Sequence, residues 1–492
     1  MNYNVERCGS GVPGLDHVLG GGYPCNRLYL VDGCPGVGKT TLALQFLLAG
    51  VKRGEACLYI TLSETKDELE AVAESHGWDL TGISIIELSQ IASGGNPASH
   101  NTLFQPAEVE LNNLSKLLIS EFERIKPDRM VLDSLSEMRL LAQNPLRYRR
   151  QILEFKQRFS KSKCTVLLLD DRSAVGQDVQ VQSIVHGMLS LTSIPLKFGI
   201  NRRYLSISKL RGSPFREGNH DYVIKRGGLT LFPRLVASEH QIEFEKIAFS
   251  SGNAELDSLC GGGLHAGTGN LFMGPAGSGK STISSMFAHT AANDGHKVHY
   301  FAFDESSHIL VNRAREIGVG FDKQLENGTI RITQVDPAEI APGELANRVV
   351  EEVEKNHVKM IVLDSLNGYV NAMPQDDFLH LHLHELLAYL NQRGVLTIMV
   401  LAQHGLIGPM GTPIDVSYLA DTVVLMRFFE AMGAVKKAVS VIKKRSGAHE
   451  TTIREVTMSS TGVSIGQPLI NFQGVLTGVP HYIGERSKNS GL

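Results

Sequence analysis

Short, almost unbroken apolar runs recur along the chain, each closing on polar or acidic residues. They include "RLYLVDG" (Arg27–Gly33), "CLYITLS" (Cys57–Ser63), "RMVLDS" (Arg129–Ser134) and "TVLLLDD" (Thr165–Asp171). A strand with one wet face alternates apolar and polar positions, so continuous runs predict strands buried on both faces. Between them lie helix-length segments such as "GKTTLALQFLLAGVKRG" (Gly38–Gly54) and "LRYRRQILEFKQRFS" (Leu146–Ser160). That alternation predicts a doubly wound α/β domain.

The pattern occurs twice. "SGVPGLDHVLGGGYPCNRLYLVDGCPGVGKTT" from Ser10 returns as "SGNAELDSLCGGGLHAGTGNLFMGPAGSGKST" from Ser251. "RMVLDSLSEM" (Arg129–Met138) returns as "MIVLDSLNGY" (Met360–Tyr369), and "SKLRG" (Ser208–Gly212) as "IKKRS" (Ile442–Ser446). Preserved order means two copies of one domain. We expect a first lobe over 1–235, a linker over 236–247, a second lobe over 248–475 and a short tail over 476–492.

Composition narrows the class. A chain of 492 residues, 42% apolar and 20% charged, is long enough for two or three cores. A net charge of −3 gives no global attraction to nucleic acid or anionic membrane. No run approaches the roughly 18–20 apolar residues of a spanning helix, and the start lacks signal-peptide features, so a cytosolic setting and no membrane partner are expected. The six cysteines are scattered without a C-x-x-C pair, which suggests neither zinc nor a disulfide framework.

Two segments satisfy G-x-x-x-x-G-K-[ST], each after a strand and before a helix. The first is Gly33, Cys34, Pro35, Gly36, Val37, Gly38, Lys39 and Thr40, with Thr41 behind it. The second is Gly274, Pro275, Ala276, Gly277, Ser278, Gly279, Lys280 and Ser281, with Thr282. Such loops wrap backbone N–H groups around phosphate at a helix N-terminus, which points to ATP. Lys39 and Lys280 would reach the β- and γ-phosphates, while Thr40 and Ser281 would ligate Mg²⁺. Asp133 and Asp364 end the runs "MVLD" and "IVLD", facing the crevice where a nucleotide and its Mg²⁺ sit.

Together these markers resemble the KaiC-like family of RecA-type ATPases: S-G-x-x-x-L-D with G-G-G, the phosphate loop, an acidic pair, V-L-D-S and a late K-x-R, in both halves. The resemblance covers nearly the whole chain. It implies two tandem RecA-like P-loop domains and a homohexamer with ATP between neighbours. The first lobe would chiefly hydrolyse ATP, and the second would also phosphorylate its own chain. Lys209 and Arg211, and Lys443 and Arg445, match the family's basic pair that reaches the neighbouring subunit's ATP.

The acidic pair differs between copies. "YITLSETKDEL" (Tyr59–Leu69) has Ser63 and Glu64 where "YFAFDESSHIL" (Tyr300–Leu310) has Asp304 and Glu305. In the family the first of the pair is the base, and in the second lobe also a Mg²⁺ ligand, roles that fall on Asp304. A serine cannot serve as base near neutral pH, so either Glu64 replaces it or the first lobe turns over slowly. Alternation along a strand counts against Glu64, but that rule loosens at a strand end.

The family's phosphorylated Ser-Thr pair corresponds to Ser417 and Tyr418 in "VSYLADTVVLM", leaving Ser417 as the candidate acceptor. The short tail resembles relatives that do not depend on KaiA; a KaiB-like partner on the first lobe stays open. "HLHLHEL" (His380–Leu386) places His380 and His384 one turn apart, and a packed or interfacial helix is the expectation rather than zinc. Two other readings remain: a DNA recombination or repair ATPase, and a scaffold that binds ATP with little turnover.

Overall fold

The computed structural model describes residues 6–88, 106–142, 144–172, 179–196, 199–371, 379–405, 416–477 and 479–483. The chain divides into two compact units, Met1–Arg234 and Leu235–Leu492.

In the first unit nine strands form one sheet: β1 (Leu28–Gly33), β2 (Cys57–Thr61), β3 (Ile83–Glu87), β4 (Arg129–Asp133), β5 (Thr165–Asp171), β6 (Gly187–Ile194), β7 (Arg202–Leu210), β8 (Asn219–Lys225) and β9 (Gly228–Phe232). Their order is β3-β2-β4-β5-β1-β6-β7-β8-β9. The strands from β3 to β6 run parallel, and β7 to β9 continue as an antiparallel extension.

The second unit repeats this with β10 (Gly269–Gly274), β11 (Val298–Ala302), β12 (Ile330–Gln334), β13 (Met360–Asp364), β14 (Leu396–Ala402), β15 (Thr422–Ala431), β16 (Ala434–Lys444), β17 (Arg454–Ser459) and β18 (Gly462–Pro468). Its order, β12-β11-β13-β14-β10-β15-β16-β17-β18, is the same permutation. The phosphate-loop strand is central in both, so the chain carries two tandem RecA-like sheets.

The continuous apolar runs are explained by cores on both faces. Tyr29 and Val31 of β1 join a cluster with Leu42 and Phe46 of the helix Lys39–Val51. Leu28 and Leu30 point the other way, to Ile152 and Phe155 of the helix Pro145–Lys161. Burying each such Leu or Phe contributes about 1.5–3 kcal/mol.

Residues 235–247 pack on the second unit. Ala237 N–H donates to Glu385 Oε2 at 3.0 Å, and the Phe244 ring covers Gly394, where a Cβ would come within 2.4 Å of the ring. Gly394 is also at φ 67°, so glycine is required there on both counts. The expected tail lies largely outside the described residues. No helix among them is long and apolar enough to cross a membrane.

Candidate nucleotide site

Each phosphate loop leaves the C-terminal end of the central strand and turns through glycines at positive φ: Gly36 at 78° and Gly38 at 100°, Gly277 at 76° and Gly279 at 106°. At Gly38 a Cβ would come within 2.4 Å of Ile224 Cδ1, and at Gly279 within 1.9 Å of Met458 Cε. Gly38 and Gly279 are also the helix N-caps, with no side-chain cap hydrogen bond among the described residues. The first-turn N–H groups thus face outward, as an anion site needs.

Lys39 and Lys280 are almost buried, at 8% and 6% exposure. Lys39 Nζ donates to Gly33 O at 2.9 Å, Cys34 O at 3.2 Å and Asp171 Oδ1 at 2.6 Å. Lys280 Nζ donates to Pro275 O at 2.8 Å. Burial pushes the Lys280 ammonium down to about 8, opposed by the nearby Asp364 carboxylate.

Asp133 and Asp364 stand beside these lysines. Asp133 Oδ2 accepts from Tyr59 Oη at 2.6 Å, and Asp364 from Tyr300 in the same way. Both Asp–Ser peptide bonds that follow are cis. Burial raises the Asp133 pKa, while hydrogen bonds from Tyr59 and Thr40 and the charge of Lys39 oppose that rise. The Thr40 hydroxyl beside the Asp133 carboxylate is a hard-oxygen pair of the kind Mg²⁺ takes together with phosphate oxygens, so these residues fit that ion.

The acidic pairs follow their strands in matching register: Leu62 N–H donates to Asp133 O at 2.6 Å, and Phe303 N–H to Asp364 O at 2.7 Å. Here the lobes diverge. Asp304 accepts from the Ser365 hydroxyl, and Glu305 is paired with Arg313. Ser63 is exposed. Glu64, past the strand end and half-buried, has its Oε2 shielded from solvent without a hydrogen-bond partner among the described residues. Burial first, then repulsion by Asp133, pushes its pKa up to about 7, with Lys39 opposing. The strand alternation that counts against Glu64 ends at Thr61, which frees this side chain to turn toward the site.

The basic pairs are held alike in both lobes. Lys209 Nζ donates to Gln182 O at 2.5 Å and Arg211 Nη2 to Ser183 O at 2.7 Å. Lys443 Nζ donates to Ser417 O at 2.9 Å and to Ala420 O at 2.8 Å, and Arg445 donates to Tyr418 O. The backbone of the candidate acceptor is therefore tethered by its own lobe's basic pair.

Strand register fixes where these groups stand. Lys209 pairs with Met188, and the next residue, Leu210, with Gly187, itself opposite Tyr29 at the start of β1. Lys443 pairs with Val423, beside Leu271 near the start of β10. The phosphate loops leave the other ends of these strands. A model of the family described as "ATPase: KaiC" matches residues 8–236 and 249–469.

This chain belongs to the KaiC ATPase family.

A relative named "Circadian clock protein KaiC3", from Synechocystis sp., is 25% identical over 98% of this chain and 96% of its own. A "Circadian clock oscillator protein KaiC" from Parathermosynechococcus lividus is 24% identical over 98% and 89%. One of the same name from Acaryochloris marina is 25% identical over 95% and 90%.

Within this KaiC-family chain, three site residues escaped the sequence reading. Asp171 ends the run "TVLLLDD" as Asp133 ends "MVLD", a signal that was present without a motif to interpret it. Arg313 lies a helical segment beyond Glu305. Lys156 donates to Ile184 O at 2.8 Å, joining Lys209 and Arg211 on three successive carbonyls. Burial, then the charge of Arg211, lowers the Lys156 pKa. His380 and His384 are exposed on the helix Leu379–Gln392.

Proposed function

We propose that this chain is a Mg²⁺-dependent ATPase and serine autokinase that works as a nucleotide-bridged ring, six-membered by family resemblance, in a clock-like or signalling role. One observation carries the reading: in each lobe the basic pair, and in the second also Ser417, stands at the N-terminal edge of the parallel strands. The phosphate loop stands at the C-terminal edge, four residues of strand away in the first lobe and three in the second, or roughly 10–13 Å. A Lys or Arg there serves a neighbour's nucleotide, and Ser417 receives phosphate from a neighbour's ATP.

In hydrolysis Glu64 takes a proton from the water that attacks the γ-phosphorus, and the bridging P–O bond to ADP breaks. The cations from the neighbour offset charge on the transferred group. Mg²⁺, held by Thr40 with Asp133 and by Ser281 with Asp364 and Asp304, would offset charge on the β- and γ-phosphates. In the second lobe Asp304 is the base toward Ser417, with Glu305 oriented by Arg313. The shielded Glu64 oxygen beside Asp133, unpaired among the described residues, favours turnover in the first lobe over a purely scaffolding role.

If Glu64 is the base, its ionised form is the active one. First-lobe kcat/KM, measured in a Lys280→Ala chain, should rise with pH through about 7, the pKa of the free-protein carboxylate. Glu64→Gln should flatten that rise and lower the plateau. A profile unaltered by Glu64→Gln would remove the assignment.

Transfer to Ser417 is tested by mixing two chains of different size, one Lys280→Ala and the other Ser417→Ala. Label from γ-labelled ATP should appear on the Lys280→Ala chain alone, since only that chain has the acceptor and only its neighbour has the donor. A mixture in which neither chain is labelled, while the wild type labels normally, would rule out transfer between copies.

A further inference from the structure

The two phosphate loops, so alike in sequence, sit beside different strand ends. Asp32 and Gly33 are in register with Asp170 and Asp171 of β5. Met273 and Gly274 are in register with Leu401 and Ala402 of β14. The first lobe thus has two adjacent carboxylates where the second has none.

These carboxylates are committed differently. Asp170 is paired with Arg139 and accepts from Ser136 Oγ at 3.0 Å. Asp171, whose own N–H donates to Ser136 Oγ at 3.2 Å, turns its side chain onto Lys39 at 2.6 Å. An ammonium has three N–H donors, and Lys39 has three oxygen acceptors: Gly33 O, Cys34 O and Asp171 Oδ1. Lys280 has Pro275 O as its one hydrogen-bond acceptor among the described residues.

We propose that Asp171 competes with the β- and γ-phosphates for Lys39, so that the first lobe binds nucleoside di- and triphosphates more weakly than its loop sequence alone would give. A phosphate oxygen reaches Lys39 only by displacing a charge-assisted hydrogen bond. The displaced carboxylate then remains beside like charge, next to Asp133 and Glu64. The second lobe, with Ala402, has no such competitor among the described residues. The proposal rests on Gly33–Thr40 being a nucleotide site.

The test uses the full chain carrying Lys280→Ala, in which the first lobe holds the only complete phosphate loop. Affinities for MgATP, MgADP and AMP are measured by equilibrium dialysis with and without Asp171→Asn, which keeps the side chain's shape and removes its charge. MgATP and MgADP should bind about tenfold more tightly, the lower end of what one charge-assisted hydrogen bond is worth. AMP, which lacks the phosphates that Lys39 reaches, should be unchanged. General damage to the loop would not tighten binding.

Asp171→Ala should behave like Asp171→Asn, and Asp171→Glu should restore the weaker affinity. As a reciprocal check, Ala402→Asp in a Lys39→Ala chain should weaken MgATP binding by the second lobe. MgATP affinity that is unchanged or weaker in Asp171→Asn would overturn the proposal. Failure of the underlying site reading looks different: a Lys39→Ala, Lys280→Ala chain would still bind MgATP.

Discussion

Arg211→Ala in the Lys280→Ala chain is expected to lower first-lobe ATP hydrolysis about a thousandfold, the lower range for removal of an arginine finger, with nucleotide still bound. Arg211 is exposed, hydrogen-bonded by one guanidinium nitrogen to Ser183 O, and stands at the strand edge opposite its own phosphate loop. It therefore adds nothing to nucleotide binding by its own lobe. In the proposed shared site its contribution would come when a neighbouring copy's γ-phosphoryl gains charge in the transition state, where a desolvated cation acts most strongly.

The surroundings favour an anionic partner. Lys156, Arg27, Arg211 and Lys209 gather around His186, and burial first, then these like charges, pushes its imidazole down to about 4. An incoming polyphosphate relieves that repulsion. ADP release and retained nucleotide, measured together, check the prediction; turnover equal to that of the parent chain would sink the shared-site model.

The second large effect concerns folding. Arg129→Ala should destabilise the first lobe by about 3 kcal/mol, the lower end for stranding one partner of a buried pair. Arg129 is 1% exposed, ion-paired with Glu55, and its Nη1 donates to Gly9 O at 2.7 Å and Phe46 O at 2.8 Å. Its guanidinium also lies over the Phe46 ring, 4.8 Å from the centroid.

One side chain thus ties the start of the lobe and the phosphate-loop helix to β4. Removing it leaves two carbonyls and a partly buried carboxylate without their donor; Glu55 keeps some access to water, which holds the cost to the lower end. The chain's one tryptophan, Trp78, packs on the first-lobe core, so its fluorescence reports this lobe alone during urea unfolding. With a slope of about 3 kcal/mol per M, the midpoint should fall by about 1 M. A midpoint shift under about 0.3 M would show that the arginine is dispensable; Met360 stands at the matching position of β13.

Much of this molecule was readable before any coordinates. Duplicated loops, repeated V-L-D-S and continuous apolar runs specify tandem parallel sheets because those features are local: a strand buried on both faces needs unbroken apolar residues wherever it sits. The antiparallel extension beyond the central strands was not read, since its strands alternate weakly and their partners are set by long-range pairing. Lys39 and Asp133 could be nominated from spacing, whereas Glu64 was one of two open options and strand alternation counted against it.

The sequence by itself determined the two phosphate loops, the tandem architecture and the family. Only the tertiary structure decided what each charge faces: that Glu64 turns inward past its strand, that Arg313 occupies Glu305, that Asp171 holds Lys39, and that each basic pair stands at the far edge of its own sheet. Side chains distant in sequence come together only through strand order and register, and electrostatic energy depends on that separation and on burial, neither of which a local pattern contains.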